Sequence, residues 1–181
     1  MDKARIAASL GVATPIICIL TSIALSPWFS IYNNALSDLG HVIRSNVAPI
    51  FNYGLSTGGF LIGLSSVLAR GLGRFMKASI LATGYSLMLV GVFDESYNRF
   101  HDLHFKVSVL FFTMLIVMLL AYAIEFKTIK SIPVAAALVI MWLLYFKHHL
   151  TPGAAVPESL SIALAVPFYL KAIFSTRASS F

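Results

Sequence analysis

The stretch from Phe93 to Phe105, FDESYNRFHDLHF, places three acids and two histidines between two long apolar runs. The run before it extends from Ala78 to Phe93, and the run after it from about His101 to Phe126. Apolar segments of about 20 residues can cross the hydrocarbon core of a bilayer as α-helices. The stretch therefore predicts a polar connection between two membrane-spanning helices, at one face of the membrane.

The composition of the whole chain is typical of an integral membrane protein. Of the 181 residues, 59% are hydrophobic and 11% are charged, with a mean hydropathy of +0.87, whereas a soluble domain is about one-quarter charged. The length leaves room for roughly six spanning helices with short connections. We predict an all-α fold: a single transmembrane domain over residues 1–181, formed by a bundle of six helices in the cell membrane.

Four further apolar runs complete the predicted set of helices. They are Ile6–Leu25, Val47–Leu68, Ile132–Phe146 and Ser159–Phe174. The first run is longer than the ~7–15-residue core of a secretory signal, and Pro27 follows it closely. We therefore predict that the first helix is retained as part of the bundle.

The placement of basic residues predicts the orientation of the bundle, because cytoplasmic loops carry an excess of Lys and Arg. One side collects Lys3, Arg5, Arg70, Arg74, Lys77, Lys127, Lys130, Lys171 and Arg177. The other side has Arg44, Arg99, Lys106 and Lys147. Both termini are therefore predicted to be cytoplasmic. These residues lie at the ends of apolar runs and not in a basic stripe, so the net charge of +6 does not indicate a nucleic-acid partner.

This topology places all five histidines and five of the seven acids at the outer ends of helices. They are His41, His101, His104, His148, His149, Asp38, Asp94, Glu95, Asp102 and Glu158. In the first outer loop, Asn34 or Ser37 is suited to cap a short helix that brings Asp38, His41 and Ser45 onto one face. An amphipathic surface helix with its polar face in water fits the same pattern.

The second outer connection carries the histidine pair His101-x-x-His104 at the start of the fourth helix. Histidines three residues apart share a helix face and suit zinc or a similar divalent metal. Asp94 and Glu95 end the third helix, where negative charge opposes the helix dipole and needs a partner. Either a structural ion pair or a functional site accounts for them. The one cysteine excludes a cysteine-based metal framework.

Small residues on the second helix predict close packing. Gly54-x-x-x-Gly58 and Gly59-x-x-x-Gly63 both lie on it, and such spacing lets helix backbones approach one another in a membrane. The partner is either a neighbouring helix of the same chain or a second copy in a homo-oligomer.

Three short motifs, in this order, resemble the family known as domain of unknown function 998. They are N-A-L-S-D-L-G at Asn34–Gly40, V-G-V-F-D at Val90–Asp94 with His101 following, and G-A-A-V-P-E at Gly153–Glu158. The resemblance implies a six-helix membrane protein, and a remoter similarity to the Frag/DRAM/Sfk group. It implies that Asn34, Ser37, Asp38, Gly40, Asp94, His101, Pro157 and Glu158 recur, but it supplies no activity. Glu95 and His104 lie outside that set.

The sequence leaves three functions open. The first is a metal-assisted hydrolase or transferase acting on lipid headgroups, with His101, His104 and one of His41 or His149 as ligands. The second is a non-enzymatic protein that binds or transports a ligand, ion or membrane lipid, and the third is a structural protein. For the first two we predict one outer pocket, in which Asp94 pairs with His101. Its catalytic residues would be Asp38, Asp94 and His101, and its binding residues Asn34, Ser37, His41, Glu95 and Glu158.

Overall fold

The computed structural model describes residues 2–148 and 151–175, which form six α-helices and no strand. The helices are α1 (Lys3–Ala24), α2 (Ala48–Leu68), α3 (Arg74–Val92), α4 (Leu103–Glu125), α5 (Ile132–His148) and α6 (Ala155–Phe174). The connections at one end contain a first 3₁₀ helix, Leu36–Gly40, and a second 3₁₀ helix, Glu95–Arg99. The predicted all-α fold of six helices is confirmed.

The exterior of the bundle suits a lipid environment. Helices α1, α3, α4 and α6 are long and apolar enough to cross a membrane, while α2 has 21 residues and α5 has 17. Large hydrophobic side chains such as Ile17, Phe60 and Leu143 are about 60% exposed. Exposed apolar surface on this scale is stable in contact with lipid tails and not in contact with water.

Both ends of the described chain lie at the same face of the bundle. Arg5 near the start of α1 donates a hydrogen bond from Nη2 to the carbonyl oxygen of Phe174 at the end of α6, 3.0 Å away. The assignment of this face to the cytoplasm depends on the count of basic residues. One of them, Arg177, lies outside the described residues. The orientation remains a prediction.

Cysteine labelling tests the orientation. Asn46 and Lys130 are exposed at opposite ends of the bundle, whereas the neighbouring Ser45 and Ser131 are buried and unsuitable. In a Cys18→Ser background, we expect a membrane-impermeant maleimide to label Asn46→Cys in intact cells and Lys130→Cys only after lysis. Labelling of Lys130→Cys alone in intact cells would reverse the assigned orientation.

Glycines on α2 bring it close to α1 and α3. A Cβ atom at Gly58 would lie 2.6 Å from Cδ of Pro15 in α1, and one at Gly59 would collide with the carbonyl oxygen of Gly84 in α3. These contacts confirm that α2 packs through its glycines inside one chain. A homo-oligomer formed through α2 remains a prediction, and it would use the exposed side of α2 that carries Tyr53 and Phe60.

The end of the bundle opposite the two termini is called the outer end here. The outer segment, residues 25–47, lies across it and is hydrogen-bonded to two helices. The amide of Ala155 donates to the carbonyl of Asn34 at 2.9 Å, and the amide of Gly153 donates to the carbonyl of Tyr32 at 3.0 Å. On the other side, Nδ2 of Asn52 in α2 donates to the carbonyl of Gly40 at 2.9 Å. These hydrogen bonds hold the outer segment against α2 and α6.

The predicted short helix in the outer segment is wrong in its length and its cap. Only the five-residue first 3₁₀ helix forms, with Ala35 at its N-cap and His41 already extended at φ −69° and ψ 101°. Asn34 does not cap it, because its Oδ1 accepts from the amide of Ser30 at 2.9 Å. Asp38, His41 and Ser45 therefore do not share a helical face.

The predicted start of the fourth helix at His101 is also wrong. His101 and Asp102 have φ values of 53° and 56°, in the left-handed region that helices exclude. Oδ1 of Asn98 accepts from the amide of Phe105 at 3.0 Å, so the chain turns back sharply before α4 begins at Leu103. His101 therefore lies outside the helix that carries His104.

Candidate functional site

A cavity of about 260 Å³, the outer cavity, lies at the outer end of the bundle between α4, α5 and α6. Its polar end is lined by Ser37, Glu95, Asn98, His104, Ser108, Tyr145 and Glu158. Its apolar wall includes Val109, Phe112, Ile116, Trp142 and Phe146. From Ser108 to Ile116 the wall follows α4 for about 12 Å, at ~1.5 Å per residue. The outer cavity therefore joins a polar end to an apolar wall that runs into the membrane-spanning region.

Glu158 is the carboxylate that fixes the outer segment over the cavity. It lies in the first turn of α6, and only 8% of it is exposed. Its Oε2 accepts a hydrogen bond from the backbone amide of Leu36, 2.6 Å away. A carboxylate that accepts from a backbone amide makes a stronger bond than two neutral groups do. Glu158 thus joins the first 3₁₀ helix to α6.

Asn34 and Asp38 hold the outer segment in its turn. Oδ2 of Asp38 accepts from Nδ2 of Asn34 at 2.8 Å and from the amide of Ala35 at 3.0 Å. Both side chains line a shallower cleft of about 290 Å³, with His41, Arg44 and Glu95. The predicted site residues Asn34, Asp38 and His41 are therefore close to one another, on the outer side of Glu95.

Glu95 lines both the outer cavity and this shallower cleft. Burial, a hydrogen bond with Asp38 and the negative charge of Asp38 raise the pKa of Glu95 from 4.5 to about 7, although the charge of Arg44 acts in the opposite direction. A carboxyl group that keeps its proton donates a hydrogen bond to the neighbouring carboxylate. When Glu95 is protonated, this hydrogen bond joins the two 3₁₀ helices.

The Glu95–Asp38 contact should weaken as pH rises. The unfolded chain loses the Glu95 proton near pH 4.5 and the native chain near pH 7, so between these values the native state binds more protons and its stability falls with pH. We expect amides of both 3₁₀ helices to exchange faster at pH 8 than at pH 5, after correction for the intrinsic rate. Glu95→Gln donates at every pH and should remove the difference. The same pH dependence in Glu95→Gln would assign it to another group.

Asp94 is satisfied by backbone amides and not by a histidine. It is 4% exposed, and its Oδ1 accepts from Ser96 at 2.9 Å and from Val42 at 3.4 Å. His101 is exposed and does not line the outer cavity. The predicted pairing of Asp94 with His101 is therefore not formed, because the left-handed turn carries His101 away from the bundle.

His104 occupies the buried position that was predicted for His101. It is 5% exposed, its Nδ1 lies 2.7 Å from the carbonyl oxygen of Phe93, and its Nε2 lies 3.3 Å from Oγ of Ser108. Because a carbonyl oxygen only accepts, the proton of a neutral ring lies on Nδ1. Nε2 is then free to accept the proton of the Ser108 hydroxyl.

The predicted metal site is not assembled in residues 2–148 and 151–175. In these ranges, no three His, Cys, Asp or Glu side chains lie close enough to hold a metal ion. His101 and His104 lie in different surroundings, and His41 accepts from the amide of Ile43 through Nδ1 at 3.3 Å. The fourth candidate ligand, His149, lies outside the described residues.

Sequence reasoning placed Ser37, Glu95 and Glu158 in a shared outer pocket, and all three line the outer cavity. It missed Asn98, Ser108 and Trp142. Ser108 follows His104 by four residues, and that spacing places both on one helix face, so the signal was present. Trp142 lies inside the fifth apolar run, and nothing in that run marks it as a cavity wall.

The comparisons with known proteins identify the family. A family model described as "Protein of unknown function (DUF998)" matches residues 9–171. The chain matches neither a curated protein nor a solved structure. The remoter similarity to the Frag/DRAM/Sfk group remains a prediction. Since the matched range covers nearly the whole chain, this six-helix protein belongs to the DUF998 family.

Proposed function

We propose that the protein binds a single membrane amphiphile in the outer cavity, with the polar head at Glu95, Asn98 and Glu158. The observation that carries this proposal is the junction of the buried Glu158 and the half-buried Glu95 with an apolar wall in one cavity. A lipid has the same sequence of groups, a polar head followed by a hydrocarbon chain. A volume of about 260 Å³ lies just below the ~300–1,000 Å³ typical of ligand pockets, which suits a small head and the first part of one chain.

Aromatic side chains give the apolar wall a fixed shape. The ring centroids of Phe112 on α4 and Trp142 on α5 lie 4.6 Å apart, and those of Phe105 and Phe146 lie 6.0 Å apart. Nε1 of Trp142 donates to Oγ of Ser161 at 3.0 Å, which orients the indole. Rigid aromatic surface of this kind binds apolar groups at low cost in side-chain entropy.

The charges at the polar end favour a head with hydroxyl or amine groups. The cavity is lined by two carboxyl groups, Glu95 and Glu158, and by no lysine or arginine among the described residues. A phosphate would find no cation in this lining and would be repelled by either glutamate when it is ionised, whereas carboxyl oxygens accept hydrogen bonds from hydroxyls and amines. A neutral glycerol-type or amine-type head is therefore the class that fits.

The apolar lining of the bundle interior beneath the outer cavity favours binding over transport. A void of about 60 Å³ deeper in the bundle is lined mainly by apolar side chains, among them Val12, Ile62 and Leu115, with Thr83 and Tyr169 as its polar members. Coupled transport normally uses ionisable groups near the middle of the membrane. Among the described residues that line these two cavities, the carboxyl and imidazole groups lie at the outer end.

A matched pair of lipids tests the head chemistry. Monoacylglycerol and lysophosphatidate share an acyl chain and differ in the phosphate. We expect the purified protein in nanodiscs to bind monoacylglycerol at least about tenfold more tightly, a difference of ~1.4 kcal/mol. Equal affinities, or a preference for lysophosphatidate, would contradict the proposed head class.

A pair of tryptophan substitutions tests the location. Val109 lines the outer cavity, while Val139 is equally exposed on α5 but does not line it. Val109→Trp should fill the cavity and abolish monoacylglycerol binding, and Val139→Trp should bind as the wild type does. Unchanged binding by a folded Val109→Trp protein would place the lipid elsewhere.

A further inference from the structure

Ser108 makes a different contact from six other hydroxyl-bearing residues on these helices. The hydroxyls of Ser65, Ser66, Ser79, Thr83, Ser86 and Ser161 donate to carbonyl oxygens three or four residues earlier in their own helix. This is the usual arrangement for serine and threonine in helices. Oγ of Ser108 instead lies 3.3 Å from Nε2 of His104, and both residues line the outer cavity.

Three groups are therefore connected in the order carbonyl, imidazole and hydroxyl. The carbonyl oxygen of Phe93 lies 2.7 Å from Nδ1 of His104 and fixes the ring with Nε2 towards Ser108. A nucleophile next to a base that a third group orients is the signature of nucleophilic catalysis. Here a backbone carbonyl takes the orienting role. The 3.3 Å contact is slightly longer than a working pair of ~2.6–3.2 Å, and such contacts tighten when substrate binds.

We infer that the outer cavity hydrolyses an acyl ester of its amphiphile, with Ser108 as nucleophile and His104 as general base. This inference rests on the proposed binding of an amphiphile. Oγ of Ser108 attacks the ester carbonyl carbon while Nε2 of His104 takes the hydroxyl proton. The carbon–oxygen bond to the alcohol then breaks, and the alcohol leaves with the proton from His104.

Water completes the reaction from the outer face of the membrane. It attacks the acyl-serine carbon, His104 takes its proton, and the carboxylic acid leaves as Ser108 recovers the proton. The net reaction is ester plus water to acid plus alcohol. Asn98 supplies a donor for the oxyanion, because its Oδ1 is occupied by the amide of Phe105 and its Nδ2 is left for the cavity that it lines.

A serine-directed fluorophosphonate with a long alkyl chain tests the nucleophile. Incubated with the full-length protein in nanodiscs, it should label Ser108, as located by peptide mapping. Ser108→Ala should remove the label. Ser159→Ala, which changes a half-buried serine near the start of α6 that does not line the outer cavity, should leave it intact. Absence of label on the wild type, or its persistence in Ser108→Ala, would overturn the inference.

The variant His104→Asn tests the base while keeping the fold. The asparagine amide can still donate to the carbonyl of Phe93, but it offers no basic nitrogen to Ser108. We expect the labelling rate to fall by about 10² or more, the usual contribution of a general base. An unchanged labelling rate would exclude His104 from that role.

Lipid binding separates this inference from the proposed function. Ser108→Ala should still bind monoacylglycerol while the wild type releases fatty acid from it. If the wild type binds monoacylglycerol but releases no fatty acid, the catalytic inference fails and the binding proposal stands. If neither protein binds it, the proposed function fails.

Discussion

Gly59→Ala is expected to lower the free energy of unfolding by about 3 kcal/mol, at the upper end of the range for overpacked sites. The added Cβ would collide with the carbonyl oxygen of Gly84 and would lie 2.6 Å from the amide nitrogen of Met88. Both are backbone atoms of α3, so no rotamer change relieves the collision. Helices α2 and α3 would have to separate.

Gly63→Ala is the matched control for this packing prediction. The Cβ added at Gly63 would meet Cδ1 of Leu81 at 3.3 Å, the end of a side chain that can rotate. The gain in helix propensity from glycine to alanine, ~0.8–1.0 kcal/mol, should offset the contact. Unfolding of both variants in detergent, followed by circular dichroism, gives the comparison. An equal fall in the free energy of unfolding of both variants would show that α2 and α3 do not pack as described.

Glu158→Ala is expected to release the outer segment and to abolish amphiphile binding. It removes the only described side-chain acceptor of the buried Leu36 amide, and an unsatisfied buried donor costs about 1–3 kcal/mol. If the free energy of local opening falls by ~2 kcal/mol, the amides of Leu36–Gly40 should exchange roughly 30-fold faster. Hydrogen exchange read by mass spectrometry measures it directly.

Glu158→Gln separates the structural effect from the charge. Its carbonyl oxygen can still accept from the Leu36 amide, so protection of the outer segment should stay near that of the wild type. The bundle itself should remain folded in both variants, because the hydrophobic core does not depend on this contact. Equal protection in Glu158→Ala and the wild type would remove Glu158 from its role as anchor.

The number and type of helices followed from the sequence because hydropathy decides them. Each apolar run predicted a helix that formed, and Ala155 starts α6 early enough to place Pro157 and Glu158 in its first turn, as expected for a helix start. The start of α4 did not follow. It depends on two left-handed residues, His101 and Asp102, and on a cap from Asn98, which hydropathy does not record.

The polar residues were correctly grouped at one end of the bundle, but their hydrogen-bond partners were not predicted. Asp94 was expected to pair with His101, whereas Asp38, Asp94 and Glu158 all accept from backbone amides. Such bonds depend on the exact turn of the outer segment, which a sequence pattern does not specify. Because α4 begins two residues later than predicted, the buried one of the two histidines is His104 and not His101. The residues of the motif N-A-L-S-D-L-G therefore serve mainly to hold the outer segment in place.

Photo-crosslinking tests the binding of an amphiphile in the outer cavity most directly. A monoacylglycerol with a diazirine in its acyl chain would be incorporated into nanodiscs with the Ser108→Ala protein, which should bind the lipid without hydrolysing it, and the crosslinked peptides would be mapped by mass spectrometry. We expect crosslinks on α4 between Val109 and Ile116 and on α5 at Trp142 and Phe146, and we expect excess unlabelled monoacylglycerol to suppress them. Crosslinks spread over lipid-facing residues such as Ile17 and Phe60, without competition by unlabelled lipid, would contradict the account.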